Sequence, residues 1–356
     1  MYGIGYSHSF GINDSSNGKV YAVEHRIKTD NQVNLLMDLT LAICVYDKEE
    51  WIAETLDSVM SQTVRDFNLL IIDDASTDRS VEMVEAYFRQ SPRQYTLIRL
   101  ESNHGIGYCR YLAEREASTR YLMFLDSDDV LLPTAIAKMW EKIQSDSDLM
   151  AVGCHLAYVD QNTSLIGGGL YLGATSKEEF YEKAAAKKLI FMQPTAIYDR
   201  EAALSVGGYS VEGFPEGPVR YQDFCEDLDL WTRMSDLYTE GKAIIVIPEV
   251  LAYYRKLGSG LSSNTLPMLL KMRWVKQCLL DRREGRKPLC FKDWMESYPA
   301  KDMSKLRKEA KATDYLRRGA LRIHRGNPFG VFDILYSILL KPGYFADKLH
   351  KNLLNR

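Results

Sequence analysis

A chain of 356 residues with 46% apolar residues, 26% charged residues and a formal net charge of −3 has ordinary globular composition. This excludes wholesale disorder and leaves room for one large domain plus an extension. The charge is divided unevenly: Lys271 to the end holds 21 Lys and Arg against 9 Asp and Glu, and the preceding 270 residues hold 24 against 39. The acidic body argues against a nucleic-acid binder, whereas the basic tail suits a membrane, a polyanion or water.

Residues 1–38 carry clusters of Gly, Ser, Asn and Asp without a clear period, and read as a loosely attached lead segment. They lack the basic-then-apolar pattern of a signal peptide. Residues 39–46 form a short apolar run, as in a strand buried on both faces. Residues 48–62 follow with Trp51, Ile52, Leu56, Val59 and Met60 at helical spacing. The pattern then repeats, with strands at 67–73, 95–100 and 120–125 and helices at 78–89 and 107–117. Short strands alternating with longer helices predict right-handed βαβ units and a parallel sheet. Beyond Leu149 the pattern is mixed. A long strand is expected at 148–159, a flexible turn at Gly167-Gly168-Gly169, and a helix capped by Ser176 at 176–187. A strand at 189–198, a helix at 226–237 and short strands at 243–247 and 251–255 come next. From Leu266 the chain reads as helical and basic.

Six cysteines at 44, 109, 154, 225, 278 and 290 contain no CxxC pair, so neither a zinc site nor a redox dithiol is expected. Their scatter through apolar stretches reads as reduced thiols of a cytoplasmic protein. Near the tail the apolar run is broken by Asp333 and falls short of the roughly 20 residues that span a bilayer.

In an open parallel sheet, ligands bind beyond the carboxyl ends of the strands. The polar residues there are Tyr46-Asp47, Asp73-Asp74, Asn103 and Asp126-Ser127-Asp128-Asp129. Acids crowded at one strand end repel one another unless a cation neutralises them, and oxygen-only ligands suit Mg2+ or Mn2+. A capped turn before the helix beyond Pro133 would use the same residue types. Of Asp73 and Asp74, one is expected to cap the next helix and the other to accept a hydrogen bond from a nucleobase or ribose. Asn103 to Gly107 is Gly-rich without being GxGxxG, and is a nucleotide-approach loop or a plain turn. Arg110, in the first turn of its helix, would suit a phosphate, or else a surface ion pair. Glu226-Asp227 opens a helix; acids there stabilise it through the macrodipole, or one of them is a general base.

Taken in order, "LTLAICVYDKEEWIAETLDSVMSQT", "LLIIDDASTDRS", "NHGIGYCR", "YLMFLDSDD", "GGYS", "EDLDLWTRM" and "YYRKLGSGLSS" resemble family 2 glycosyltransferases over residues 39–263. The resemblance implies an α/β GT-A (nucleotide-diphospho-sugar transferase) fold, a mainly parallel central sheet flanked by helices, with a helical C-terminal extension. The corresponding division is a lead segment at 1–38, a catalytic domain at 39–265 and a basic helical extension at 266–356. Within the catalytic domain, 39–130 would be the nucleotide-binding half and 131–265 the acceptor half. The resemblance places Val45, Tyr46, Glu49 and Asp74 at the nucleoside, with Asn103 and Arg110 nearby. Asp126 would be at the ribose or diphosphate, Asp128 with Asp126 at a divalent metal, and Asp227 with Glu226 at the base position. Cys44 stands where Pro is frequent, Asp47 where Asn is usual and Leu257 where many members have His. The QxxRW pattern of processive synthases does not occur.

The implied reaction is inverting, non-processive transfer of a sugar from a nucleotide-diphospho-sugar, a UDP-sugar by family preference, to a hydroxyl of a saccharide or lipid-linked saccharide. Surface polysaccharide or glycolipid synthesis would be the setting. A nucleotidyltransferase is the rival enzyme, but Val45-Tyr46-Asp47-Lys48 lacks the glycine-rich loop such enzymes carry after the first strand. A catalytically inactive carbohydrate-binding relative is the other alternative, supported by Leu257 and opposed by Asp128 and Asp227. The tail, with its basic stretch at 271–325 and its aromatic and aliphatic stretch at 329–345, is read as a peripheral contact with the inner face of the cell membrane, a lid or a dimer contact. The oligomeric state stays open.

Overall fold

The computed structural model describes residues 10–13, 20–25, 37–91, 93–257, 260–261, 264–324 and 326–342. Two compact units divide them: one runs through Val211 and includes Glu226–Leu257, and the other comprises Glu212–Cys225 and the chain from Gly258 onward.

The first unit is built on one sheet. Its strands are β1 (Phe10–Asn13), β2 (Val20–His25), β3 (Leu39–Val45), β4 (Asn68–Asp73), β5 (Thr96–Arg99), β6 (Tyr121–Asp126), β7 (Val130–Leu131), β8 (Leu149–Val159), β9 (Leu165–Leu170), β10 (Ala196–Asp199) and β11 (Ala243–Arg255). Its helices are α1 (Ile52–Met60), α2 (Ser80–Arg89), α3 (Ile106–Glu116), α4 (Ala135–Gln144), α5 (Lys177–Ala185), α6 (Arg200–Ser205) and α7 (Glu226–Met234). The strand order is β1-β2-β5-β4-β3-β6-β10-β8-β11-β7, with β9 beside β8. Strands β5, β4, β3 and β6 are parallel, as is the pair β8 and β11, and the other pairings are antiparallel. The parallel expectation therefore describes the half that carries the acids, and the sheet as a whole is mixed.

Local chemistry explains these elements. All seven residues of β3 are buried, because helices cover both faces of a central parallel strand. Helix α1 buries Ile52, Thr55, Leu56 and Val59, an i, i+3, i+4, i+7 stripe that packs on the sheet. Ser176 caps α5 by accepting from the Glu179 N–H, and Asp199 caps α6 by accepting from Glu201 and Ala202.

Four local features differ from the pattern-based expectations. Residues 10–13 and 20–25 are strands, and β2 extends the sheet by pairing antiparallel with β5, a long-range partner that no local period announces. Gly167-Gly168-Gly169 lies inside β9, where Gly169 pairs with Ala157 and a Cβ would stand 2.5 Å from the Leu156 carbonyl oxygen. The expected strand at 189–198 is a strand only after Pro194, and 243–255 is one strand with register shifts on either side of Val250.

The second unit is helical. It comprises α8 (Thr265–Arg283), α9 (Phe291–Ser297), α10 (Ala300–His324) and α11 (Gly330–Leu340) around a small core of Leu270, Phe291, Trp294 and Leu306. Lys271 is buried there, with its ammonium 4.2 Å from the Phe214 ring and 4.6 Å from the Trp274 ring. All six cysteines are free thiols. Among the described residues no helix is long and apolar enough to cross a membrane.

Candidate active site

Sheet register sets the site. Cys44 stands opposite Ile72 on one side and Asp126 on the other, and Val45 stands opposite Asp73. The ends of β4, β3 and β6 are thus level. The Asp74 and Asp126 loops are two strand spacings apart, about 10 Å.

The loop after β3 is locked to the loop after β4. Asp47 has φ +49, a region that Asp and Asn tolerate better than other side-chain-bearing residues. Its carboxylate accepts from the Thr77 N–H at 2.7 Å. The Lys48 N–H donates to Ser80 Oγ, the Glu49 N–H to Asp78, and the Arg79 N–H to Glu49. Glu49, expected at the nucleoside, therefore has a carboxylate oxygen engaged by this lock. Tyr46 projects with 43% of its surface exposed, a face on which a base can stack. Val45, expected at the nucleoside, has its side chain buried in the core, and its carbonyl accepts from the Asp74 N–H.

Asp74 is buried, and both its oxygens receive hydrogen bonds: from the Asn103 amide (2.9 Å), the His104 N–H (2.7 Å) and the Gly105 N–H (2.8 Å). It shapes the Asn103 loop, and the amide of Asn103 is turned inward to it. Asp73 caps the following turn through the Ser76 N–H, while burial, the largest influence on it, raises its carboxyl above the usual range.

Arg110 lies in the second turn of α3, not the first, and its side chain is buried. Its guanidinium donates to Asp126 at 2.9 Å and to Glu226 at 2.5 Å. Burial disfavours its charge, but Glu226, Asp126 and other neighbours outweigh that, so the group stays protonated. Instead of a free phosphate ligand, Arg110 is the cation that joins the end of β6, 16 residues on, to the start of α7, 116 residues on. Glu226 is correspondingly an anchor, and the neighbouring Asp227 is a half-buried carboxylate that accepts from the Leu228 N–H. Burial raises the Asp227 carboxyl; Arg110 and the Leu228 N–H pull it down only in part.

Asp128 forms an ion pair with Lys48 at 2.7 Å. Asp129 is buried, accepts from the Arg255 N–H and is pushed well above the usual carboxylate range by burial first, then by Asp126 and Asp128. A cation at these acids relieves that repulsion. Among the described residues no group of three or more His, Cys, Asp or Glu is arranged to hold a metal. Two carboxylates alone fit an ion that brings its other ligands with it, as Mg2+ does when bound mainly through diphosphate oxygens and water. Lys48 competes for the same oxygen. Lys48→Met should therefore raise Mn2+ affinity in the absence of nucleotide by about fivefold, the worth of a partly exposed pair, read by calorimetry or electron paramagnetic resonance.

Three supports had weak or no sequence signal. Arg255, fully buried, donates from Nε to the Asp128 carbonyl, from Nη1 to Asp160, Gln161 and Thr163, and from Nη2 to Glu54. Its signal was the Tyr-Arg pair within "YYRKLGSGLSS". Glu114, fully buried, holds the turn of "GGYS" through the Tyr209 N–H, where a Gly208 Cβ would collide with it. Ala75 and Cys225 adopt positive φ of 60° and 53° beside Asp74 and Glu226, backbone strain of the kind that gathers at functional sites. A cavity of about 520 Å³ between α1 and α2 is lined chiefly by Met60, Met83, Ala86 and Tyr87; these acids take no part in its lining.

Residues 40–206 match the model described as Glycosyl transferase family 2. The teichoic acid poly(glycerol phosphate) polymerase of Staphylococcus epidermidis is 36% identical over 113 residues, which is 32% of this chain and 16% of that one. An uncharacterized glycosyltransferase of Nostoc sp. is 27% identical over 230 residues, 63% of this chain and 66% of that one. The matches thus span less than two thirds of either relative. S. aureus TarS 1-349, solved in complex with UDP-GlcNAc, superimposes with a TM-score of 0.52 at 17% identity, covering 87% of this chain and 92% of that one. At that identity the likeness is one of fold.

Proposed function

We propose that the chain is a glycosyltransferase of family 2 with the GT-A fold, an inverting, non-processive enzyme that moves a sugar from a nucleotide-diphospho-sugar to an acceptor hydroxyl; the family match over residues 40–206 and the likeness of fold to TarS support the reading. The observation that supports the reading is the Arg110 bridge, which brings Asp126 beside Glu226, the neighbour of Asp227, with Arg110 and Asp126 both close enough to act on the Asp227 carboxyl. A UDP-sugar is the preferred donor, in keeping with the UDP-GlcNAc complex of TarS. A saccharide or lipid-linked saccharide of a surface polymer is the acceptor, in keeping with the teichoic acid polymerase relative. The reaction belongs in the cytoplasm on this reading, and a lipid-linked acceptor would bring it to the inner face of the cell membrane.

In this reading Tyr46, Glu49 and the loop held by Asp74 receive the nucleoside. A divalent cation, Mn2+ or Mg2+, held by Asp128 and Asp126 would supply Lewis acidity at the leaving diphosphate. Asp227 accepts the proton of the acceptor hydroxyl as its oxygen bonds to the anomeric carbon. The bond from that carbon to the diphosphate breaks, and its electron pair leaves with the diphosphate. One base acting opposite the leaving group inverts the carbon. The presence of Asp126, Asp128 and Asp227 together favours this over an inactive carbohydrate-binding relative. Calorimetry of donor binding tests it: Asp128→Ala should cost about tenfold or more in Mn2+-dependent affinity, the scale of one charge-assisted contact. Equal affinity with and without Asp128 would contradict the metal assignment.

A further inference from the structure

Helix α11 is built inside out. It runs antiparallel to α10, with Gly330 against Gly319, Asp333 between Arg318 and Arg322, and Ser337 donating to the Ala312 carbonyl at 2.7 Å. The buried residues of α11 are Gly330, Asp333 and Ser337. Its outward residues are Val331, Phe332, Leu335, Tyr336 and Leu339, with Phe329 just ahead of the helix; Phe332 is 67% and Leu339 78% exposed. A helix hairpin in water ordinarily buries the apolar stripe and exposes the charges. Here the polar stripe is fully partnered inside and the apolar stripe is bare, an arrangement that suits an apolar medium outside.

What that medium is follows from charge and length. Helix α10 carries eight Lys or Arg against three Asp or Glu. Of these, Lys311, Arg318 and Arg322 are exposed and reach α11: Lys311 stands 5.9 Å from the Tyr336 ring, and the two arginines pair with Asp333. A second copy would bring the same basic flank against itself and repel. Anionic headgroups neutralise it, each basic group near such a surface contributing about a fivefold gain in binding. No described helix is long and apolar enough to span a bilayer, so this one lies on it. We propose that α11 docks on an anionic lipid bilayer, with Phe329, Phe332, Leu335 and Leu339 among the acyl chains and the α10 cations at the headgroups. The proposal is independent of the transfer chemistry.

Flotation of the full chain tests it, using phosphatidylcholine vesicles with and without phosphatidylglycerol. The protein should float with the anionic vesicles and be released by salt. The pair Phe332→Glu and Leu339→Glu, both at exposed positions, should lower binding by about tenfold or more while circular dichroism and the unfolding temperature stay unchanged. Wild-type protein that stays unbound, or a double variant that binds as well as wild type, would overturn the proposal. So would a concentration-dependent dimer in sedimentation that the same pair of substitutions dissolves, because the face would then belong to a second copy.

Discussion

Asp227→Asn should slow transfer by about a hundred- to ten-thousandfold, the contribution of a positioned general base, while donor binding survives. The substitution keeps the shape of the side chain and its place at the start of α7, but replaces a basic carboxylate with an amide too weakly basic to take the acceptor proton. The environment of the carboxyl increases its basicity, because burial raises it above the ordinary range with only partial opposition from Arg110 and the Leu228 N–H. As a base it works only when deprotonated. Activity should therefore fall as pH drops through this raised value, placing the acid limb above the roughly pH 4 of an exposed aspartate. Stability moves the other way. A carboxyl that binds its proton more tightly in the folded state contributes nothing below the unfolded pKa, and lowers stability as pH rises through the folded one. At neutral pH the amide variant should thus unfold at or above the temperature of the parent. Nucleotide-release rates, donor calorimetry and thermal unfolding separate these effects. Full activity in the variant would remove Asp227 from the base position.

That the acids are legible in the sequence and their partners are not has a physical cause. Strand β3 announces itself because an apolar run that short suits a strand covered on both faces, as its seven buried residues are, and the acids stand out because they follow such runs directly. Asp74 reads as a nucleoside ligand, since nothing local says that three donors from a loop 29 to 31 residues later converge on it. Arg110 reads as a phosphate ligand for the same reason: its partners lie 16 and 116 residues away. The Asp126, Asp128 and Asp129 run reads as acids crowded at one strand end, of which Asp126 and Asp128 are expected at a metal. Only tertiary structure divides them into one bound by Arg110, one bound by Lys48 and one buried beneath Arg255. Helix α11 lies in the stretch that reads as a membrane, lid or dimer contact, and only the Gly330, Asp333 and Ser337 contacts show which side faces in.

Arg110→Met should destabilise the protein by about 3 kcal/mol or more, because it strands the carboxylate of Glu226 in a site where that side chain is 11% exposed. Asp126, a third exposed, adds less, since water already screens it. Transfer should also fall sharply, because Asp126 and the start of α7 lose the cation that brings them together. Urea denaturation with the Glu226→Gln partner distinguishes this from loss of packing. If the cost comes from a stranded charge, the double variant Arg110→Met with Glu226→Gln recovers much of it, since both ends of the pair are then neutral. If packing around the guanidinium dominates, the double variant is no better than Arg110→Met alone. Arg110→Lys keeps the charge but cannot reach two carboxylates with a planar fork, so it should fall between parent and Met variant in stability and still lose activity. A Met variant as stable and active as the parent would show that α7 is held against β6 by other contacts, and the bridge would no longer account for the position of Asp227.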